Sequence, residues 1–286
     1  MKTHWTPPRL QARSPAIATS TGVVLVVTLA SAVAAFALTA APLPAALQAL
    51  QKQGLTIVGT FPSPGGLTAY AAHMGTEPIA LYATPDGKHV IAGTLFDATG
   101  KNLTADRLEK VLAKPMAEAV WGRLEKSHWI ADGREDAPRT VYVFTDPNCP
   151  YCNKLWADAR PWVDAGKLQL RHVMVGILTP TSAGKAAALL GDKNPAAALD
   201  AHERANVAPI AKAMASGRPK PLDDDTLKPL TVVPAELAAQ LDANAALMAS
   251  YGLRGTPALA WKDTKGGVQM RQGAPESGLA AIFGPR

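Results

Sequence analysis

From residue 55 the chain alternates short apolar runs with turn residues. Leu55-Thr56-Ile57-Val58-Gly59-Thr60-Phe61, Leu67-Thr68-Ala69-Tyr70, Pro78-Ile79-Ala80-Leu81-Tyr82-Ala83 and the run 88–96 are set apart by Pro62-Ser63-Pro64-Gly65-Gly66 and Pro85-Asp86-Gly87. This pattern predicts a small antiparallel meander. Ahead of it, 43–53 has the pattern of a short amphipathic helix ended by Gly54. Behind it, Asp97-Ala98-Thr99-Gly100 closes the last run, and Thr104 is placed to cap a helix. In that helix Leu108, Val111, Leu112, Met116, Ala119, Val120 and Leu124 keep helical spacing, with a bend expected at Pro115 and an end near Ser127. A meander of about 55 residues has little core of its own and would be steadier against a second copy.

The charged stretch Asp132-Gly133-Arg134-Glu135-Asp136-Ala137-Pro138 marks a domain boundary. Beyond it strands and helices alternate: strand 140–145, helix 149–165, strand 167–175, then an Ala-rich helical region over 181–251 interrupted by Pro195, the loop 217–228 and Pro234. Strands at 257–261 and 267–272 and a helix at 275–283 finish the chain. A βαβ unit, a helical excursion and a closing ββα predict an α/β domain on a mixed sheet. The expected division is 1–41 as a leader, 42–103 as an N-terminal domain, 104–131 as a linker helix and 132–286 as the second domain.

The leader changes how the charge is read. The formal charge is +6, but three of the basic residues, Lys2, Arg9 and Arg13, lie in the first 41 positions. The excess left over is small and evenly spread, which argues against a nucleic-acid partner. These three residues precede an apolar stretch, and small-x-small patterns follow at Ala35-Phe36-Ala37 and Thr39-Ala40-Ala41. That is the layout of a cleaved export signal. The stretch is also near the length of a bilayer span, so an uncleaved anchor is the other reading. Either way the rest of the chain lies outside the cytoplasm, where disulfides persist.

Candidate chemistry centres on the only two cysteines, in Cys149-Pro150-Tyr151-Cys152, directly after the expected strand. With Cys149 at a helix N-cap, Pro150 falls at the first helical position, where its missing N–H costs nothing. The free N–H groups of Tyr151 and Cys152 and the helix dipole then favour a thiolate at Cys149. Cys152, one turn on and expected to be more buried, would resolve a mixed disulfide. Zinc would need further ligands: there is no second C-x-x-C pair, and the six histidines form no H-x-x-x-H-like pair. A purely structural bridge between these positions would close almost no loop and stabilise little. A dithiol redox centre that needs no metal or organic cofactor is the reading that remains. Gly255-Thr256-Pro257 precedes the apolar run Ala258-Leu259-Ala260-Trp261. If Pro257 is cis and sits beside the cysteines, the Thr256 backbone faces outward, able to pair with an extended substrate chain.

These residues resemble the periplasmic thiol:disulfide interchange proteins of the DsbC/DsbG family. The likeness is carried by Val141-Tyr142-Val143-Phe144-Thr145-Asp146-Pro147 before the cysteines, Ala159-Arg160-Pro161-Trp162-Val163-Asp164 after them, and Thr256-Pro257-Ala258. It extends to Lys52-Gln53-Gly54-Leu55-Thr56-Ile57, Pro64-Gly65-Gly66, Thr84-Pro85-Asp86-Gly87-Lys88-His89 and Ser127-His128-Trp129. The Pro150-Tyr151 dipeptide places the chain on the DsbG side of that family. The resemblance implies a V-shaped homodimer. Each chain would carry a cystatin-like dimerisation domain, a linker helix and a thioredoxin fold with a helical insertion. It implies client proteins with oxidised cysteines and a membrane electron donor of the DsbD type. The reactions implied are reduction of sulfenylated cysteines, disulfide isomerisation and chaperone-like binding.

Two other functions stay open at this point: a holdase dimer with secondary redox activity, and a DsbA-like dithiol oxidant. Many thioredoxins carry a buried acid six residues before the first cysteine; that position here is Val143. Asp146 is read as a turn residue whose charge, if close, would disfavour the Cys149 thiolate. Tyr151 is expected to pack and tune the helix dipole, and Trp156 and Trp162 to fill the core.

Overall fold

The computed structural model describes residues 42–217, 219–222 and 226–285, so the expected leader lies outside the described residues. Helix α1 (Ala45–Lys52) leads into strands β1 (Thr56–Phe61), β2 (Thr68–Met74), β3 (Glu77–Ala83) and β4 (Val90–Ala92). They pair in chain order, each antiparallel to the next, as a meander requires. Period-two alternation buries both faces of β2 and β3. Ala69, Ala71, Ala80 and Tyr82 pack with Leu112 of helix α2 (Ala105–Glu125), while Ala72 and Leu81 pack with Leu47 of α1. A small residue on β1 leaves room for α2: Val111 would lie 3.4 Å from a Cβ placed on Gly59.

Thr104 precedes α2 as expected, but its side chain is not the cap. It adopts helical φ/ψ, and its hydroxyl is bound to Tyr82 Oη and accepts the Leu95 N–H. Asn102 Oδ1 accepts the N–H groups of Thr104 and Ala105 instead. Pro115 lies within α2, which continues to Glu125.

The second sheet holds β5 (Trp129–Asp132), β6 (Arg139–Thr145), β7 (Leu168–Met174), β8 (Ala258–Lys262) and β9 (Val268–Gln272) in the order β5-β7-β6-β8-β9. Only β6 and β7 run parallel. The hydrophobic pattern missed β5, a four-residue strand that runs straight into the charged break. Central β6 is buried on both sides. Val141 and Val143 face helix α3 (Pro150–Val163) and the C-terminal helix α7 (Leu279–Phe283), while Tyr142 and Phe144 face the end of α2 and helix α6 (Ala235–Ser250). The expected last helix is a 3-10 turn (Glu276–Gly278) followed by α7.

Helices α4 (Ser182–Leu190) and α5 (Pro195–Ala215), with α6, form the insertion between β7 and β8. Pro195 opens α5, with Asn194 Oδ1 accepting the Ala197 N–H as its cap. Among the described residues no helix is long and apolar enough to cross a membrane.

Trp162 locks the C-terminus onto α3. Its ring meets Phe283 edge-on at 5.4 Å, and its Nε1 donates to Gly284 O at 2.9 Å. Trp162→Ala is expected to lower unfolding free energy by roughly 3–5 kcal/mol in a urea titration, through the cavity and the lost hydrogen bond.

Candidate active site

Strand β6 delivers the chain into a buried loop, and α3 starts directly from it. Cys149 has extended φ/ψ (−85°, 112°), the geometry of an N-cap, and its Sγ accepts the Cys152 N–H at 3.1 Å. Pro150 takes the first helical position. Both cysteines are free thiols, each 3 % exposed, so residue exposure does not rank Cys152 as the deeper one.

Their acidities do separate them. The Cys149 pKa is lowered, first by a hydrogen bond from the Cys152 side chain, and further by hydrogen bonds from the Thr256 side chain and the Cys152 backbone; burial and the Asp146 charge oppose this. Cys152 is pushed well above the usual thiol range, first by burial and then by its hydrogen bond to Cys149 and the charge there. The two thiol acidities are thus displaced in opposite directions, Cys149 toward the more acidic side.

The Thr256–Pro257 bond is cis, and Pro257 carries the chain into β8 beside β6. Thr256, Pro257, Tyr151, Lys154, Met214 and Glu276 line a cavity of about 480 Å³. Tyr151, expected to be a packing residue, is 55 % exposed on the rim of this cavity, because the first turn of α3 leaves it facing outward. Trp156 and Trp162 are buried. A larger cleft of about 940 Å³ lies between α2 and the β8–β9 turn and contains neither cysteine.

The loop before Cys149 is held by polar groups that the hydrophobic pattern does not reveal. Asp146, 1 % exposed, is more than a turn residue. Its Oδ1 accepts from Asn148 N–H and Ser182 Oγ, and its Oδ2 from the N–H groups of Ile177 and Leu178. Asn148 Nδ2 donates to Thr179 and Thr181 hydroxyls, while its carbonyl accepts from Leu222 N–H. On α5, His202 Nε2 lies 2.8 Å from Pro147 O, and the Glu203 carboxyl and carbonyl both accept from Asn153 Nδ2, next to Cys152. Burial raises the Glu203 pKa. In the sequence, the signal for the two α5 residues is a His-Glu pair inside an otherwise Ala-rich helix; no spacing rule links them to the cysteines.

Beneath α3, Asp132 takes both guanidinium nitrogens of Arg160, and its Oδ2 lies 3.5 Å from His172 Nε2. Burial pushes the Asp132 carboxyl up, but hydrogen bonds from His172 and Arg160 and their charges outweigh it and hold the pKa at about 2. The Arg160 guanidinium stacks 3.9 Å from the Trp156 ring centroid. Among the described residues no group of His, Cys, Asp and Glu is arranged to hold a metal ion.

Residues 34–105 match the family model for the N-terminal domain of disulfide bond isomerase proteins, and residues 130–278 match that of a thioredoxin-like domain. The thiol:disulfide interchange protein DsbG of Pseudomonas aeruginosa is 48 % identical over 254 residues, spanning 88 % of this chain and 93 % of that protein. The chain belongs to the DsbG family of thiol:disulfide interchange proteins. DsbG of Escherichia coli is 39 % identical over 238 residues, spanning 82 % and 88 %. A probable DsbC of Bordetella avium is 27 % identical over 215 residues, spanning 75 % and 65 %. Membership makes the chain a thiol:disulfide interchange enzyme, with an isomerase-type N-terminal domain ahead of a thioredoxin fold. The first family model ends at the first residue of α2, and the second begins inside β5.

Two outcomes are expected from this geometry. Asp132 has its folded pKa below its unfolded one, so its stabilising contribution is present above about pH 4 and is lost as pH falls through about 2. That contribution is about 2 kcal/mol, so in urea titrations the loss of stability from pH 7 to pH 2 should be larger in the wild type than in Asp132→Asn by about this amount. Thr256→Val removes a donor to Cys149, and the rate of iodoacetamide alkylation of Cys149 at neutral pH should fall roughly threefold to fivefold.

Proposed function

We propose that this protein is a periplasmic, homodimeric thiol-disulfide oxidoreductase in which Cys149 attacks oxidised cysteines of client proteins and Cys152 resolves the product. The observation that carries this reading is the opposite displacement of the two thiol acidities around one contact, Cys152 N–H to Cys149 Sγ.

The Cys149 thiolate attacks the client sulfur. From a client sulfenic acid the S–O bond breaks and the oxygen leaves as water, taking up a proton; from a client disulfide the S–S bond breaks and one client thiolate leaves. Both give a mixed disulfide to Cys149. Cys152 then loses its proton and attacks Cys149 Sγ, forming the Cys149–Cys152 disulfide and releasing the client thiol. The client has gained two electrons and the enzyme has lost two, which a membrane dithiol donor of the DsbD type must return. In isomerisation a second client thiol attacks the mixed disulfide instead, and the enzyme leaves reduced.

Thr256 and Pro257, on the rim of the cavity, would present backbone to an extended client segment, and the cavity between Tyr151 and Met214 would receive a neighbouring side chain. The N-terminal meander, covered by only two helices, would form the dimer contact. A holdase contribution is favoured by one observation: Ile177 and Leu178, whose amides bind Asp146 beside the active-site loop, leave their apolar side chains 48 % and 45 % exposed.

In Cys152→Ala protein expressed in the periplasm, mixed disulfides with clients should accumulate and be separable by mass. Single-cysteine partners would mark sulfenic-acid reduction and multi-cysteine partners isomerisation. No trapped client, or full client reduction by Cys149→Ser, would sink the reading. Aggregation suppression that survives intact in Cys149→Ser/Cys152→Ser protein, with no redox change in clients, would leave the holdase function alone.

A further inference from the structure

We propose that Asp146 tunes the reduction potential of the active site: its buried carboxylate, fixed by four donors in the loop that leads into Cys149, makes the dithiol the stronger reductant. The inference rests on Cys149 being the reactive thiolate.

The carboxylate is placed with little freedom. Asn148 N–H and Ser182 Oγ hold Oδ1 at 2.9 and 2.8 Å, and Ile177 N–H and Leu178 N–H hold Oδ2 at 2.7 and 2.9 Å. All four are donors, which suits an acceptor-only carboxylate. The same residue's backbone carbonyl accepts the Cys149 N–H at 3.0 Å, so one residue both anchors the loop through its side chain and holds the Cys149 amide. Its charge works against the Cys149 thiolate, and in a buried site like charges are poorly screened.

The other ionisable groups packed around this loop are engaged elsewhere. On α5, His202 is bound to Pro147 O and Glu203 to Asn153. Lys185 of α4 donates to Leu222 O, and Lys154 of α3 pairs with Asp158 and Glu276. Asp146 is the acidic side chain held within the loop that leads directly into the helix start.

The consequence follows from the half-reaction. Reducing the Cys149–Cys152 disulfide takes two electrons and one proton and yields a Cys149 thiolate and a Cys152 thiol. A fixed negative charge destabilises the product thiolate and leaves the neutral disulfide nearly untouched. Equilibrium with a dithiol donor then shifts toward the oxidised enzyme, so the reduced enzyme passes its electrons on more readily.

The test measures two quantities in the purified full-length protein: Cys149 thiolate by ultraviolet absorbance across pH, and the equilibrium constant against glutathione buffers. Asp146→Asn should raise the thiolate fraction about tenfold at a pH below both midpoints and, at a pH above both, make the pair about tenfold more oxidising, about 30 mV for two electrons. Ser182→Ala keeps the charge but removes a donor that neutralises part of it, so it should move both readings the opposite way, by roughly twofold. Loosened packing alone would move both variants in one direction. Shifts of the same sign in both variants, or an unmoved or lowered thiolate fraction in Asp146→Asn, would overturn the proposal. If Asp146→Asn does not fold, the sign in Ser182→Ala decides. Failure of Cys149→Ser to remove the thiolate signal in the parent protein would instead overturn the assignment of Cys149.

Discussion

Cys149 Sγ receives the Cys152 N–H because Cys149 is the N-cap of α3, and much of the second domain serves to keep it there. A helix start offers N–H groups with no intrahelical partner, and a sulfur at that place is the natural acceptor. Pro150 makes the start abrupt without wasting a donor. Strand β6, apolar on both faces and paired with β7 and β8, gives α3 a rigid origin, and the packing of Trp162 against Phe283 fixes its far end. The chemistry is local, but the precision of the contact comes from the whole sheet.

The helical insertion closes the loop from the other side. His202, Glu203, Leu222 and the start of α4 reach the residues on either side of the cysteines through hydrogen bonds that are almost all buried. Buried polar groups are costly unless paired, so such a network strongly favours one arrangement of the loop over alternatives. It also supplies an acid, Glu203, near the base of α3, although β6 carries Val143 where many thioredoxins place one. The Asp132–Arg160–His172 group does similar work lower down, joining β5, α3 and β7.

Much of this architecture was legible in the order of residues. The alternation in 55–96, the spacing of Leu108 to Leu124 and the apolar run of β6 each report which face is buried, because burial repeats with the period of the element. Two local readings did not hold. Thr104 stands where a cap belongs, yet its hydroxyl is drawn to Tyr82 and Leu95 across the sheet, and Asn102 takes over. Tyr151 looked like a packing residue and faces the cavity instead. β5 was missed because a short strand pairs with a partner some forty residues away, as Trp129 does with Val173, and leaves no periodicity of its own.

By itself the sequence determined the Cys149–Cys152 pair and its place at a helix start, because these depend on neighbours within one helical turn. Tertiary structure alone decided what surrounds that pair: Thr256 arriving from β8, His202 and Glu203 from the insertion, and Asp146 bound by amides some thirty residues further on. Those partners are distant in the chain, and electrostatic influence falls with distance in space and takes no account of distance in sequence. The dithiol was therefore readable from four residues, and the balance of charges around it only from the fold.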